Sequence, residues 1–302
     1  MNRAFAIFLF LLTLLIGCTK EEKKNKTEFS INIVDDLGVA FKSSTPPNKI
    51  VSLAPNLTEM IFELGVESKL VGNTKYCNFP KEALEIKNVG DLITVDYEKI
   101  IELNPDLIFI TTEGNSKATY DKLQKLGFKL FVSNPHNFDG IKKTFRDISK
   151  IFMMEQLAEE KINSWDKIVS DIYNKAQNTT PVKGMFMISL KPVMLAGGNT
   201  FVSEFLKTVG IKNIAENSEV NYPLFNREEI LLRNPEIIIH TNNSKEIENE
   251  ILENYPEWKK IAAIKNKNII KVNPDLFFRP GPRYPIAVRD LWNKFNALSI
   301  KK

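Results

Sequence analysis

One phrase is spelled twice in this chain. Tyr97–Ile110 reads YEKIIELNPDLIFI, and Arg227–His240 reads REEILLRNPEIIIH. Each copy carries a Glu near its start (Glu98, Glu228), turns at an Asn-Pro (Asn104-Pro105, Asn234-Pro235) and continues with an acid and four apolar residues. An amphipathic run, a Pro turn and a short apolar run read as helix, turn and buried strand. A second match accompanies the first. Laying Gly210 on Gly65 puts SEFLKTVGI over TEMIFELGV, with Glu204 on Glu59. Two matched segments in the same order predict two related lobes.

Other elements fall in around this repeat. FSINIVDDLGVAF alternates about an Asp-Asp-Leu-Gly turn and predicts a hairpin. KIVSLAP, KLVGNT, LIFI and KLFVS read as strands, separated by helices over NLTEMIFELGV, Asp96–Leu103 and Ser116–Leu126. The first of these helices is expected to be capped by Asn56 or Thr58 and closed at Gly65. Gly140–Gln177 then runs without Pro or internal Gly, its apolar residues recurring at helical spacing with one phase slip near Met153-Met154. It predicts two abutting helices or one kinked helix. After Pro181 the alternation restarts with GMFMISL, continues through VMLAGGNTFVSEFLKTVGI and NIIKVN, and closes with a helix over Tyr284–Leu298. The expected fold class is α/β: two Rossmann-like lobes with parallel-rich sheets, covered on both faces and joined by one long helix. The expected division is a leader at 1–17, a tether and hairpin at 18–45, a first lobe at 46–139, the connecting helix at 140–178 and a second lobe at 179–302.

The N-terminus gives an address. Arg3 precedes the apolar run Ala4–Ile16, which is too short to span a bilayer and stop there. It ends in Leu15-Ile16-Gly17-Cys18, which resembles the lipobox of bacterial lipoproteins. That resemblance implies cleavage before Cys18, lipidation of its thiol and amine, and a polar tether from Thr19 to about Glu28, placing the protein outside the cytoplasm on a membrane. With Cys18 lipidated only Cys77 remains, so no internal disulfide is expected. The formal net charge is +4, with Lys and Arg dispersed among Asp and Glu, so nothing suggests a nucleic-acid stripe.

Enzyme chemistry finds little support. Nucleophile elbow, Walker loop, zinc-protease helix and C-x-x-C motifs are all missing, and the two His (His136, His240) fit no metal-ligand spacing. AGGNTF (Ala196–Phe201) is a Gly-rich loop before a helix, readable as a phosphate loop but better as a turn needing flexible φ. The loops at strand ends are richer. TKYCNFP holds Tyr76 and Phe79, NYPLF holds Tyr222 and Phe225, and PDLFFRPGPR holds Asp275, Leu276, Phe277, Phe278 and Arg279. Such aromatics either plug their loops onto the lobes or line a cleft for a large, flat, partly apolar ligand. Glu98 and Glu228 favour the positive end of their helices, and could also offer a two-fold partner one anion per lobe.

Taken together, KIVSLAPNLTEMIFELGVESKLVGNTKYCNFP, DYEKIIELNPDLIFI, GGNTFVSEFLKTVGIKNIA, NREEILLRNPEIII and FFRPGPR resemble the cobalamin-binding substrate-binding proteins of vitamin B12 ABC importers. These are members of a wider class of two-lobed siderophore, haem and cobalamin binders joined by a single helix. The resemblance runs from about Phe29 to the C-terminus. It implies a monomeric, lipid-anchored protein on the periplasmic face that captures a corrinoid and delivers it to a permease dimer and its ATPase, without an enzymatic activity or cofactor of its own. By position it assigns corrinoid contact to Tyr76, Asp275, Leu276, Phe277, Phe278 and Arg279, with Tyr222 as an aromatic cleft residue. It assigns permease docking to Glu98 and Glu228. Leu92 stands where a member has Trp, which reduces one stacking surface; Val209 and Phe295 stand where that member has a disulfide. Haem or ferric siderophore is the alternative cargo, with Tyr76 as the available iron ligand and no second Tyr or His evident near it. A surface lipoprotein binding host or envelope macromolecules is the alternative from another class.

Overall fold

The computed structural model describes residues 30–244 and 246–298. The expected leader, Cys18 and the tether lie outside the described residues. The hairpin forms as β1 (Ile31–Val34) and β2 (Ala40–Ser43), antiparallel. Asp35 closes it, accepting from the Leu37 and Val39 amides at 2.9 and 2.8 Å, and also accepts from the Val132 amide at 3.1 Å. The hairpin is thereby fastened to the first lobe.

That lobe runs β3 (Ile50–Ser52), α1 (Pro55–Glu63), β4 (Leu70–Asn73), α2 (Tyr97–Leu103), β5 (Leu107–Thr111), α3 (Lys117–Lys125) and β6 (Leu130–Ser133). Its sheet is wholly parallel, in the order β4-β3-β5-β6. Two helices follow, α4 (Phe138–Ile151) and α5 (Glu155–Gln177). The second lobe runs β7 (Val182–Ser189), β8 (Met194–Leu195), α6 (Phe201–Thr208), β9 (Ile211–Asn213), α7 (Arg227–Arg233), β10 (Ile237–His240), α8 (Ile247–Asn254), α9 (Ala262–Lys265), β11 (Ile269–Lys271), α10 (Pro274–Phe277) and α11 (Tyr284–Asn296). Strands β9, β7, β10 and β11 are parallel and repeat the order of the first sheet, while β8 adds an antiparallel edge to β7.

The repeated phrase has a physical grammar. Asp96 and Asn226 cap α2 and α7, accepting from the Lys99 and Glu229 amides at 3.1 and 2.7 Å. Asn104 and Asn234 end those helices in the left-handed region, both at φ 46°, a conformation Asn tolerates better than most residues. The acid after each Pro then reaches the neighbouring strand. Asp106 accepts from the Asn48 and Lys49 amides at 2.8 and 2.9 Å, and Glu236 from the Lys183 amide at 3.0 Å. Each copy of the phrase therefore builds a helix and pins the start of the strand beside it.

Two expectations are revised, and of the two readings of the connecting segment the abutting helices stand. Helix α1 has no side-chain cap: Pro55 begins it, Asn56 reaches Pro280 and Thr58 bonds Ser52. The connecting segment is broken, with Met153 at φ 56° between α4 and α5. Helix α4 packs on the hairpin and α1, so α5, 23 residues and about 35 Å long, is the spine. In AGGNTF neither Gly has a positive φ; a Cβ on Gly198 would lie 2.1 Å from the Glu216 carbonyl oxygen, so close backbone approach explains the residue.

The inner faces of both sheets share one apolar core. It runs from Ile50 and Phe109 through Phe145 and Trp165 to Phe186 and Phe277, and includes Val209 and Phe295. Smaller clusters cover the two outer faces. No described helix is long and apolar enough to cross a membrane.

His240, at the end of β10, is buried, and burial together with Lys271 holds its imidazole at about 4, below the ordinary 6.5. Below pH 6.5 the unfolded chain takes up a proton that the folded protein refuses. The contribution is therefore complete above pH 6.5 and is lost toward pH 4, at up to about 1.4 kcal/mol per pH unit. Denaturant unfolding at pH 7, 5.5 and 4.5 should show a shallower pH dependence in His240→Asn than in the native protein.

Candidate functional site

A cleft of about 810 Å³ lies between the lobes. Thr111 and Ile188 bring the ends of β5 and β7 to it, consistent with the rule that open α/β sheets bind ligands beyond their strands' carboxyl ends. The first lobe contributes Asn56, Tyr76, Leu92, Glu113 and His136; the second contributes Phe201, Tyr222, Asp275, Phe278 and Arg279.

Of the expected contacts, Tyr76, Tyr222 and Phe278 are exposed in this cleft, and Asp275 and Arg279 line it. Phe277 does not: its fully buried ring packs on Phe205 at 4.6 Å. Leu276 points away as well and packs against the shared core. The single turn of α10 sends successive side chains in different directions, so a contiguous stretch cannot all face one ligand. Two other loop aromatics also leave the cleft. Phe79 lies beneath the Arg283 guanidinium, 4.2 Å from the ring centre, and Phe225 packs against the outer core of the second lobe beside Arg233.

Sequence reasoning passed over Glu113 and His136, which pair at 3.3 Å in the cleft wall. Burial pushes the Tyr222 hydroxyl pKa up, and the charge of Glu113 adds to the shift. His136 follows a strand whose lobe partner is far away in sequence, so no local pattern marks it. Cys77, next to Tyr76 in the chain, is buried, its thiol within 3.3 Å of the Thr58 and Thr74 hydroxyls and pushed up in pKa by burial, which describes a structural residue.

An ion cluster closes the seam beside the cleft. Glu59 on α1 has a side chain only 2% exposed. Arg283 meets its carboxylate with Nε at 2.8 Å and Nη2 at 2.5 Å, and Arg279 Nη1 approaches at 3.3 Å. Arg279 also donates to Asn78 at 2.7 Å and Asp275 at 2.8 Å. Burial pushes the Glu59 carboxyl pKa up and the two guanidiniums pull against it. Glu204, the residue aligned with Glu59, crosses in the other direction and accepts from the Phe138 amide at 2.6 Å. An aromatic column of Phe138, Tyr284 and Phe205, with ring centres 4.6 and 4.7 Å apart, runs beside it. The cluster joins both lobes and holds the cleft residues Asp275 and Arg279 in place.

Removing one partner of a buried ion pair strands the others. Glu59→Gln should cost about 3 kcal/mol of stability, read by urea unfolding. A loss below about 1 kcal/mol would make the cluster incidental to the seam.

Glu98 and Glu228 stand apart from the cleft lining, exposed in the first turns of α2 and α7. Among the described residues Glu98 has no ion-pair partner, while Glu228 lies 3.2 Å from Arg227.

Comparison with known proteins places this architecture. The chain is 31% identical over 302 residues to an uncharacterised ABC transporter substrate-binding lipoprotein, YvrC, of Bacillus subtilis, covering 95% of this chain and 94% of that one. It is 28% identical over 250 residues to a vitamin B12-binding protein of Vibrio cholerae, covering 82% and 88% respectively. The crystal structure of the periplasmic vitamin B12 binding protein BtuF of Vibrio cholerae superposes with a TM-score of 0.74 at 27% identity, over 85% of this chain and all of that one. Residues 50–276 match the periplasmic binding protein family, and the chain belongs to that family of non-enzymatic transport binders.

Proposed function

We propose that this protein is the lipid-anchored, solute-capturing component of an ABC importer and that its solute is a corrinoid. The observation that carries the reading is the cleft itself: about 810 Å³, bounded on opposite lobes by the exposed rings of Tyr76, Tyr222 and Phe278, with Asp275 and Arg279 at its edge. Aromatic faces suit a large flat ring system, and a few polar groups orient it. The vitamin B12-binding relative supports the same cargo. The three Trp leave the cleft wall to other residues: Trp165 and Trp258 are buried and Trp292 packs on the core. Equilibrium dialysis followed by corrin absorbance therefore reads binding more directly than protein fluorescence. Cyanocobalamin should bind at micromolar protein, and Tyr76→Ala or Tyr222→Ala should each weaken it ~10-fold.

A second cargo has its own observation. His136 and Tyr222 line the same cleft as Tyr76, so a metalloporphyrin would meet imidazole and phenol groups there after all. Hemin dialysed in parallel decides between the two. A Soret band that shifts in His136→Ala, together with no corrinoid uptake, would replace the corrinoid with haem.

Delivery requires a partner, and Glu98 and Glu228 are the proposed contacts with Arg side chains of the permease dimer. Glu98→Lys combined with Glu228→Lys should abolish uptake into vesicles holding the permease and ATPase while leaving dialysis affinity unchanged. A parallel fall in affinity would instead assign both acids to the cleft or the fold.

A further inference from the structure

Arg279 and Asp275, at the cleft edge, are engaged by the seam cluster. The pair formed by Glu113 and His136 takes no part in that cluster. Its Nδ1–Oε1 distance is 3.3 Å, both residues line the cleft, and both side chains are about half exposed. Among the described residues Glu113 is the imidazole's only polar partner, so Nε2 is left open.

The segment that carries His136 is fastened on both sides. The Asn134 amide donates to Asp36 at 2.6 Å, and the Asn134 side-chain oxygen accepts from the Thr112 hydroxyl. Asn137 caps α4, accepting from the Gly140 amide at 2.7 Å, and the Phe138 amide donates to Glu204 on α6 at 2.6 Å. Thr112 immediately precedes Glu113, so its bond to Asn134 ties together the two loops that form the pair. The backbone beneath the imidazole is therefore fixed, and Glu113 orients the ring.

A carboxylate at Nδ1 selects the tautomer with its proton there and leaves the Nε2 lone pair free. That is the arrangement in which imidazole ligates metals. His136 is the only imidazole among the described residues of the cleft lining. The Tyr222 phenol, on the opposite lobe, holds its proton more firmly than usual because of burial and the Glu113 charge, which makes it a poor competitor. A corrinoid brings a metal of matching demand: cobalt(III) at the centre of a flat ring, with an axial position perpendicular to that ring.

We infer that His136 Nε2 is an axial ligand to the cobalt of the captured corrinoid, held in its ligating tautomer by Glu113. The Nε2 lone pair forms the Co–N bond as the Co–O bond to an axial water breaks. Water leaves, cobalt stays cobalt(III), and no proton or electron is transferred. Such coordination presupposes the proposed corrinoid cargo and narrows it to corrinoids with an exchangeable axial ligand, such as aquacobalamin. A cyano or alkyl group on cobalt is retained and keeps the imidazole off the metal.

Equilibrium dialysis and visible absorbance of the full chain with aquacobalamin and cyanocobalamin test this. Aquacobalamin should bind ~100-fold more tightly than cyanocobalamin, with its absorbance bands moved to those of an imidazole complex of cobalt(III). In His136→Gln the preference should disappear and any bound aquacobalamin should keep the bands of the water-ligated form. Glu113→Ala should reduce the preference ~10-fold, as loss of a carboxylate behind a ligating His does. Water-type bands in the native protein, or imidazole-type bands that persist in His136→Gln, would overturn the cobalt ligand and leave corrinoid capture standing. Uptake of neither corrinoid would overturn both.

Discussion

The carboxylate of Glu59 ties the two halves of this protein together through side chains. It comes from the first helix of the first lobe and is met by two guanidiniums from the far end of the chain. A buried charge of this kind is tolerable only when it is fully engaged. The 275–283 segment is therefore obliged to stay against α1, and with it Asp275, Phe278 and Arg279 stay at the cleft edge.

The lobe repeat extends across the seam. Glu59 and Glu204 occupy equivalent places on α1 and α6, and each reaches into the opposite lobe, one to side chains and the other to the start of α4. Between them lies an uninterrupted apolar core that draws from both sheets, both connecting helices and α11. Lobes that share a core and exchange buried carboxylates do not swing as independent domains, since close-packed interiors resist continuous deformation. A binding protein built this way keeps its cleft largely preformed.

Much of this was legible in the chain. The doubled phrase announced two lobes, and its parts proved to have local causes: a capping Asp or Asn, a left-handed Asn, and an acid pinning the next strand. The phase slip at Met153-Met154 marked a real break. Other readings failed for reasons equally physical. Asn56 and Thr58 looked like caps because caps are short polar residues, yet each bonds elsewhere, to Pro280 and to Ser52. Leu276 and Phe277 looked like cleft residues because their neighbours are, and one turn of helix was enough to turn both toward the core and to bury Phe277. His136 drew no role beyond the lack of a metal-ligand spacing, because nothing within a few residues suggested Glu113 as its partner.

The sequence by itself determined the α/β class, the succession of strands and helices in each lobe, the exposed acids at the heads of α2 and α7, and the aromatic loops at strand ends. Periodicity, capping and turn chemistry act over a few residues and can be read there. Only the tertiary structure decided which aromatics face the cleft, that Glu113, His136 and Tyr222 share it, and that Glu59 closes the seam. The Glu59 contacts join residues more than two hundred positions apart, where burial and packing, rather than any local pattern, choose the partner.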